Sequence, residues 1–291
     1  MNLKPKFMLA LAASLVSAAA LAEPLDLRRD VAADATVTVV NIAGEIEIST
    51  WDRNEVHLTG HTGDNSELEI SENDQGIRFE VQKMKGIGRM GASVLTLVVP
   101  ATANIIAESV SADITVAGSR GGRITAESVS GDLSVEGQAE RADLSSVSGD
   151  IEFRGSATRN AFETVSGDID VAGVSGEVAL STVSGDAVLE ATSLSHGKFE
   201  TVSGTLELSL QVQDGGRLTI EAMSGDVTLS LAAAQTGEFR AQSFSGTIES
   251  DFGTVERGGM GPGSHLNHVA GNSGSMIRVE SFSGDIHIGR N

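Results

Sequence analysis

The sequence predicts an all-β protein built as a stacked solenoid with two strands in each coil. Three observations support this prediction: a Ser-Gly-Asp motif recurs at a near-constant interval, apolar and polar residues alternate after each motif, and glycine is abundant at 34 residues. A regular period is typical of solenoids, whose coils stack on one another. The alternation is typical of strands with one buried face and one solvated face.

The first 22 residues precede this architecture and are predicted to be a secretory signal peptide. Lys4 and Lys6 stand before an apolar stretch, residues 7–21, which closes with the small-residue pattern ending at Ala22. The stretch is shorter than a bilayer span requires. We therefore expect cleavage near Ala22 and Glu23, and a periplasmic or secreted mature chain with no membrane span.

Residues 23–100 are predicted to form an irregular N-terminal β cap that is continuous with the solenoid. Residues 41–48 resemble the later repeat units. A cap is expected because an exposed end coil would be an adhesive sheet edge. Alternating residues indicate strands at 36–40, 45–49, 56–60, 67–71, 77–82 and 94–99.

Residues 101–291 contain the repeats, and each unit is expected to lie directly on the one before it. Successive motif serines are 19, 18, 18, 18, 19, 21, 21 and 38 residues apart. The doubled last interval contains a glycine-rich segment, 253–275, which is predicted to be a flexible surface loop. The aligned serines are Ser111, Ser130, Ser148, Ser166, Ser184, Ser203, Ser224, Ser245 and Ser283.

The motif glycines are predicted to be structural turn residues that take a positive φ at a sharp corner. The first coil has Ala112 at this position, so its turn is expected to be strained or of another type. The motif serine and aspartate are expected to bond turn amides. An apolar residue just before each turn breaks the alternation, which predicts a bend there. The glycines are Gly131, Gly149, Gly167, Gly185, Gly204, Gly225, Gly246 and Gly284.

Stacking would place the motif aspartates in a column about 4.8 Å apart. Like charges at that distance repel by roughly 1 kcal/mol in water, so the column requires solvent or a screening cation. Asp132, Asp150, Asp168 and Asp186 are therefore candidate ligands of a weakly bound divalent cation such as calcium. The favoured interpretation is that the motif is structural, and neither a metal site nor a cofactor is predicted.

Composition argues against several classes of function. The net charge of −20 repels nucleic acid and anionic headgroups. The chain has no cysteine and no tyrosine, and Trp51 is its single tryptophan, so it offers few stacking platforms for sugars. Its carboxylates recur on every coil, so none is set apart as a catalytic acid or base. No catalytic residue is predicted.

Two local patterns have simple structural explanations. Residues 86–91 match the dinucleotide-binding pattern G-x-G-x-x-G, but a strand follows where a helix would be required. A glycine-rich hairpin loop accounts for this match. His265 and His268 lie in the glycine-rich segment, where a solvated loop is the favoured interpretation over a metal site.

The order of these features resembles a known bacterial family. An early N-I-x-G-x-I-x-I segment at 41–48, then Val98-Val99-Pro100, then serial V-S-G-D-I-x-V units are similar to the family named for putative adhesins, also called toast-rack domains. The resemblance covers about residues 30–290. It implies a stacked β solenoid in the cell envelope and supplies no catalytic residues.

The sequence therefore favours a non-enzymatic exported protein of the cell envelope, an adhesin or interaction scaffold that presents a rigid acidic β surface. Its partner is expected to be an envelope protein or a surface ligand. A divalent-cation-binding surface or matrix protein is the alternative, and a polysaccharide-active enzyme is the less favoured third. The sequence does not identify the partner or the oligomeric state.

Overall fold

The computed structural model describes residues 24–73, 75–86, 88–257 and 263–291, and these form strands, turns and bends. The fold class is the predicted one, a β-solenoid with two strand rows. Within the described ranges no helix has the length and apolar composition to cross a membrane. The signal peptide predicted at 1–22 lies outside the described residues.

The N-terminal region contains all six strands that the alternation predicts, together with an additional strand at its start. The second strand joins two predicted strands into one long element. The strands are β1 (Pro24–Asp30), β2 (Thr36–Trp51), β3 (Glu55–His61), β4 (Ser66–Asn73), β5 (Gly76–Lys83) and β6 (Ser93–Pro100).

The middle of the chain forms the regular part of the solenoid. Several of its strands bend once and so contribute to two rows. These strands are β7 (Asn104–Arg120), β8 (Arg123–Ser128), β9 (Leu133–Ser146), β10 (Ile151–Thr164), β11 (Ile169–Thr182), β12 (Ala187–Thr201), β13 (Leu206–Leu210), β14 (Val212–Ala222) and β15 (Val227–Leu231).

Equivalent residues of neighbouring coils pair in parallel register. In row A, which precedes each Ser-Gly-Asp corner, Phe162 pairs with Leu144 on one side and Leu180 on the other. In row B, which follows the corner, Ile151 pairs with Leu133 and Ile169 in the same way. Each of these buried apolar residues therefore lies on an apolar residue of the neighbouring coil, as the period predicts.

The core lies between the two rows and is almost wholly aliphatic and phenylalanine. Phe153 from row B and Phe162 from row A are fully buried, and their ring centroids are 5.7 Å apart. Phe199 is also fully buried, in row A. Burial of each such side chain stabilises the fold by about 1.5–3 kcal/mol, which makes the coil interior the main source of stability.

The C-terminal strands do not stack in sequence order, so the prediction that each coil lies on the one before it is wrong here. Strand β20 pairs with β14 and with β16, and β21 pairs with β15 and with β17. The last coil is therefore inserted between two earlier ones. The strands are β16 (Gly237–Ser243), β17 (Ile248–Ser250), β18 (Val255–Arg257), β19 (Ser264–Ala270), β20 (Met276–Ser281) and β21 (Ile286–Arg290).

The N-terminal end has a related arrangement. Strand β2 lies between β7 on one side and β5 and β6 on the other, in parallel with all three. Antiparallel strands then cover the outside: β4 pairs with β5, β3 pairs with β6, and β1 pairs with β3. Near each chain terminus a coil thus has both of its hydrogen-bonding edges occupied.

The glycine-rich segment 253–275 is predicted to be a surface loop, and this prediction is wrong for residues 255–257 and 264–270, while residues 258–262 lie outside the described ranges. It contains β18 and β19, and β19 pairs antiparallel with both β16 and β18. The physical reason is that β16 is the outermost strand of row A at this end. Its free edge requires a partner, and the returning chain provides one.

Candidate interaction surface

Five of the eight glycine corners are closed by a hydroxyl group at the end of row A, namely those at Gly131, Gly149, Gly167, Gly185 and Gly246. Thr164 Oγ1 accepts a hydrogen bond from the backbone N–H of Gly167 at 3.0 Å, and Ser146 Oγ accepts one from Gly149 at 2.8 Å. The bonding hydroxyl belongs to the residue three before the glycine. This corrects the expectation that the motif serine provides it. The motif serine instead bonds the neighbouring coil through its backbone N–H.

Glycine is required at the corners for a different structural reason from the predicted one. All eight corner glycines lie in described ranges, and none of them has a positive φ, so this prediction is wrong. A Cβ atom on each would instead lie 1.9–2.2 Å from the carbonyl oxygen of the equivalent residue in the adjacent coil. Glycine is required because the stacked corners approach so closely.

The first corner, at Ala112, keeps the hydroxyl bond of other corners but lies within the continuous strand β7. The backbone N–H of Ala112 donates to Ser109 Oγ at 2.6 Å, and Ala112 has no positive φ. It pairs with Gly44 of β2. The first corner therefore differs in type from the later ones, because it is paired with β2 as part of a strand, whereas the later corners are bends between two strands.

The motif aspartates form a column in which each carboxylate bonds the next coil. The backbone N–H of Asp150 donates to Asp132 Oδ1 at 2.9 Å, and Asp168 and Asp186 repeat this contact at 2.9 Å. Thr205 interrupts the column, with its N–H donating to Asp186 Oδ1 at 2.7 Å, and the column resumes at Asp226, whose Oδ1 accepts from the N–H of Asp285 at 2.8 Å. Amide donors thus offset the like-charge repulsion along the column.

The same four aspartates were the candidate cation ligands, and they line a groove of about 520 Å³. Arg154 forms an ion pair with Asp170 at this groove, and the hydrogen bond from Arg154 lowers the pKa of the Asp170 carboxyl. In the part of the chain that the structure describes, no group of three or more potential ligands is placed to hold a metal ion.

A column of large apolar side chains lies exposed on the corner, one from each coil. We call it the apolar column. Its members are 42–59% exposed, although all except Val110 immediately follow a buried residue of row A. At its C-terminal end the rings of Phe244 and Phe282 are stacked, with centroids 5.1 Å apart. In stacking order the members are Val110, Val129, Val147, Val165, Val183, Val202, Met223, Phe282 and Phe244.

Acidic residues flank the apolar column along the chain on both sides. Three residues after the apolar residue, seven of the nine coils have an aspartate of the aspartate column, and the other two have Thr205 and Thr247. Two residues before the apolar residue, on the outer face of row A, most coils have a glutamate. These glutamates are Glu108, Glu127, Glu163, Glu200, Glu221 and Glu280.

The widest groove of this surface lies at its C-terminal half. It has a volume of about 870 Å³ and is lined by the last five apolar-column residues together with Glu200, Glu221 and Glu280. Lys198 pairs with Glu200 at 2.8 Å, and this contact raises the pKa of Lys198. Arg278 pairs with Glu280 at 2.6 Å. The groove therefore combines an apolar floor with an acidic rim that already attracts cations.

The sequence did not reveal this surface directly. The apolar residue before each turn was interpreted as evidence of a bend, and the bend is present. That its side chain points to solvent follows from the corner geometry. The available signal was the break in alternation at the same place in nine coils, since a buried position would have kept the period of two.

These features define a class of protein: a two-row β-solenoid with covered ends and a periodic corner surface. The chain belongs to the family described as Toastrack DUF4097, whose model matches residues 35–289. No curated protein matches the chain in sequence.

Two solved structures of bacterial proteins are similar to this chain in fold. A putative adhesin from Bacteroides fragilis is 13% identical with a TM-score of 0.47, and the match covers 92% of this chain and 97% of that one. A putative lipid binding protein from Parabacteroides distasonis is 10% identical with a TM-score of 0.41, covering 91% and 96%. Family membership rests on the family match and not on these likenesses.

Proposed function

We propose that the protein is a non-enzymatic, exported component of the cell envelope that acts as an adhesin or interaction scaffold. It would reach the periplasm or the exterior by means of the signal sequence at 1–22. The rigid solenoid would present its acidic corner surface to an envelope protein or surface ligand. The partner binds along the apolar column.

The observation that carries this proposal is the exposure of nine large apolar side chains in one continuous column. Isolated exposed apolar residues are normal on any protein, but contiguous apolar patches rimmed by polar residues mark interaction sites. The column exists because nine stacked coils each have an apolar residue at the same exposed position. Because each coil is held in register by backbone bonds, the column is also preorganised for binding.

The proposal is tested by making the column polar in its middle. The variant Val165→Ser/Val183→Ser/Val202→Ser removes three adjacent apolar contacts. The matched control is Val188→Ser, because Val188 is 39% exposed but lies in row B, outside the column. Binding of the labelled protein to isolated cell envelopes is measured for both. We expect the triple variant to bind at least about tenfold more weakly, equivalent to about 1.4 kcal/mol.

Circular dichroism and thermal melting establish that each variant is folded. Equal binding by the triple variant and Val188→Ser would contradict the proposal, because the apolar column would then contribute nothing. Equal losses in both variants would also contradict it, since the effect would not be confined to the column.

A further inference from the structure

The partner cannot bind the apolar column by adding a strand. At each corner the backbone is already occupied: the N–H of Ser166 donates to the Val147 carbonyl at 3.0 Å, and the Val165 carbonyl accepts from Ser184 at 2.9 Å. Strand addition requires a free edge with unpaired amides and carbonyls. Recognition along the column must therefore be made by side chains.

The chemistry of the surface selects the charge of the partner. A single line of apolar side chains lies between two acidic columns, so its complement is an apolar stripe with cationic residues on both sides. A second copy of this chain, with its net charge of −20, would bring the same acidic columns face to face. Like-charge juxtaposition of this kind disfavours association.

The dimensions of the column favour a helix. Nine coils are separated by eight steps of about 4.8 Å, which gives a length of roughly 38 Å. A helix of about 25 residues has the same length, and its seven turns repeat every 5.4 Å. Same-side residues of an extended strand repeat at about 6.8 Å, which matches the coil spacing less well.

We propose that the occupant is a cationic amphipathic helix of a partner protein, lying along the apolar column with its lysines or arginines against the flanking acids. This inference rests on the proposed function, because it names the partner of the same surface. Apolar helix faces commonly bind in grooves with anchors at i, i+3, i+4 and i+7.

The strongest contacts are expected at the C-terminal groove. Met223, Phe282 and Phe244 are the three largest side chains of the column and line the 870 Å³ groove. Aromatic and methionine side chains adapt to apolar anchors and dominate interface energetics. Glu221 lies in register between Glu200 and Glu280, so a helix in this groove meets three carboxylates on one side, of which Glu200 and Glu280 already have cationic partners on their own strands.

The test uses synthetic peptides as probes of the class. The first is a 24-residue helix of leucine and lysine whose leucines form one stripe. The second has the same composition in scrambled order, and the third has glutamate in place of every lysine. Binding to the protein is measured by fluorescence anisotropy. We expect the striped lysine peptide to bind at least about tenfold more tightly than either control, with binding weakened as salt screens the charges.

Variants of the protein assign the binding to the column. Met223→Ser/Phe282→Ser is expected to reduce the affinity for the striped peptide by about tenfold or more, whereas Val188→Ser leaves it unchanged. The pair Glu163→Gln/Glu221→Gln is expected to reduce it by roughly threefold and to make the salt dependence shallower. Both charge positions lie beside the column and not in the core.

The outcomes separate this inference from the proposed function. If the striped peptide fails to bind while envelope binding still depends on the apolar column, the helix is wrong and the scaffold function stands. Equal binding of the scrambled peptide would also overturn the helix, because charge alone would explain it. Column-dependent dimerisation in sedimentation, or column-dependent binding to phosphatidylcholine vesicles, would identify a different occupant and overturn the inference.

Discussion

The two corners of each coil both reverse the chain between row A and row B, but their backbone geometries differ. The Ser-Gly-Asp corner has the same close backbone stacking at its eight glycines, none of which has a positive φ. The opposite corner varies from coil to coil. Gly155 and Gly173 there have φ values of 155° and 91°. Register shifts interrupt the pairing of β11 with β12 at this corner.

The difference shows which corner accommodates the additional residues of the longer coils. The coils lengthen from 18 to 21 residues toward the C-terminus. The additional residues fall in the opposite corner, such as the segment between β15 and β16. The Ser-Gly-Asp corner therefore keeps its side chains in continuous columns, and the candidate interaction surface lies on this invariant corner.

The largest effect is expected from placing a methyl group in the invariant corner. In Gly149→Ala the new Cβ lies 2.0 Å from the carbonyl oxygen of Gly131, which is backbone and cannot rotate away. We expect destabilisation of at least about 3 kcal/mol, the upper end of ordinary overpacking. Urea denaturation measures it. A loss below 1 kcal/mol would mean that the corners can separate without cost.

The second prediction concerns the hydroxyl that closes this corner. Thr164→Val keeps the shape of the side chain but removes the acceptor of the Gly167 N–H. A buried donor left without a partner costs about 1–3 kcal/mol, and we expect a loss in this range by urea denaturation. Thr164→Ser is the control, because serine keeps the hydroxyl. Serine and valine variants of equal stability would exclude the bond as a determinant of the corner.

The regular coils could be predicted from the sequence because their information is local. Alternation within five residues defines each strand, and the period defines the stack, so Phe162 and Ile151 lie where the pattern places them. The order of coils at the C-terminal end could not be predicted this way. Insertion of β20 beside β14 depends on covering a sheet edge, and no local pattern distinguishes an inserted coil from a terminal one.

The candidate surface was predictable only in part, for a related reason. The aspartate column follows from the period. The close approach at Gly149 does not, because it depends on the distance between coils and leaves no trace in the motif beyond glycine itself. Val165 breaks the alternation, which is the signal that the sequence offers, and the corner geometry then places its side chain in solvent.

A glycine at the opposite corner is expected to have a smaller effect on stability. Gly215 has a φ of 74°, but a Cβ there would have no atom within 4 Å. In Gly215→Ala the left-handed backbone alone costs roughly 1–2 kcal/mol, partly offset by the reduced freedom of the unfolded chain. We expect a net loss of about 1 kcal/mol, measured by urea denaturation.

Gly86→Ala is the matched control for Gly215→Ala, since Gly86 has neither a positive φ nor an atom close to its Cβ position. Its stability is expected to be unchanged within about 0.5 kcal/mol. If Gly215→Ala cost as much as Gly149→Ala, the two corners would not differ in the reason for their glycines.

The smallest effect on stability is expected from removing the charge of Asp285, at the invariant corner of the inserted coil. The effect is measured as a dependence of stability on pH. Asp285 Oδ1 accepts hydrogen bonds from the backbone N–H and the hydroxyl of Thr247 at 2.7 and 2.9 Å, which lowers the pKa of Asp285. The folded pKa therefore lies below the unfolded value of about 3.9. The resulting stabilisation is present above that value and is lost as pH falls through the folded pKa.

Asp285→Asn removes this ionisation, so the difference in urea midpoint between the wild-type protein and the variant is expected to be constant from pH 7 to about pH 5. It should then shrink as the pH falls below about 4. Thr247→Val removes the hydroxyl donor and keeps the backbone N–H, so its pH-dependent difference from the wild-type protein should follow the same course with a smaller amplitude. A difference that stays constant or grows below pH 4 would show that the ionised carboxylate of Asp285 does not stabilise the inserted coil at this corner.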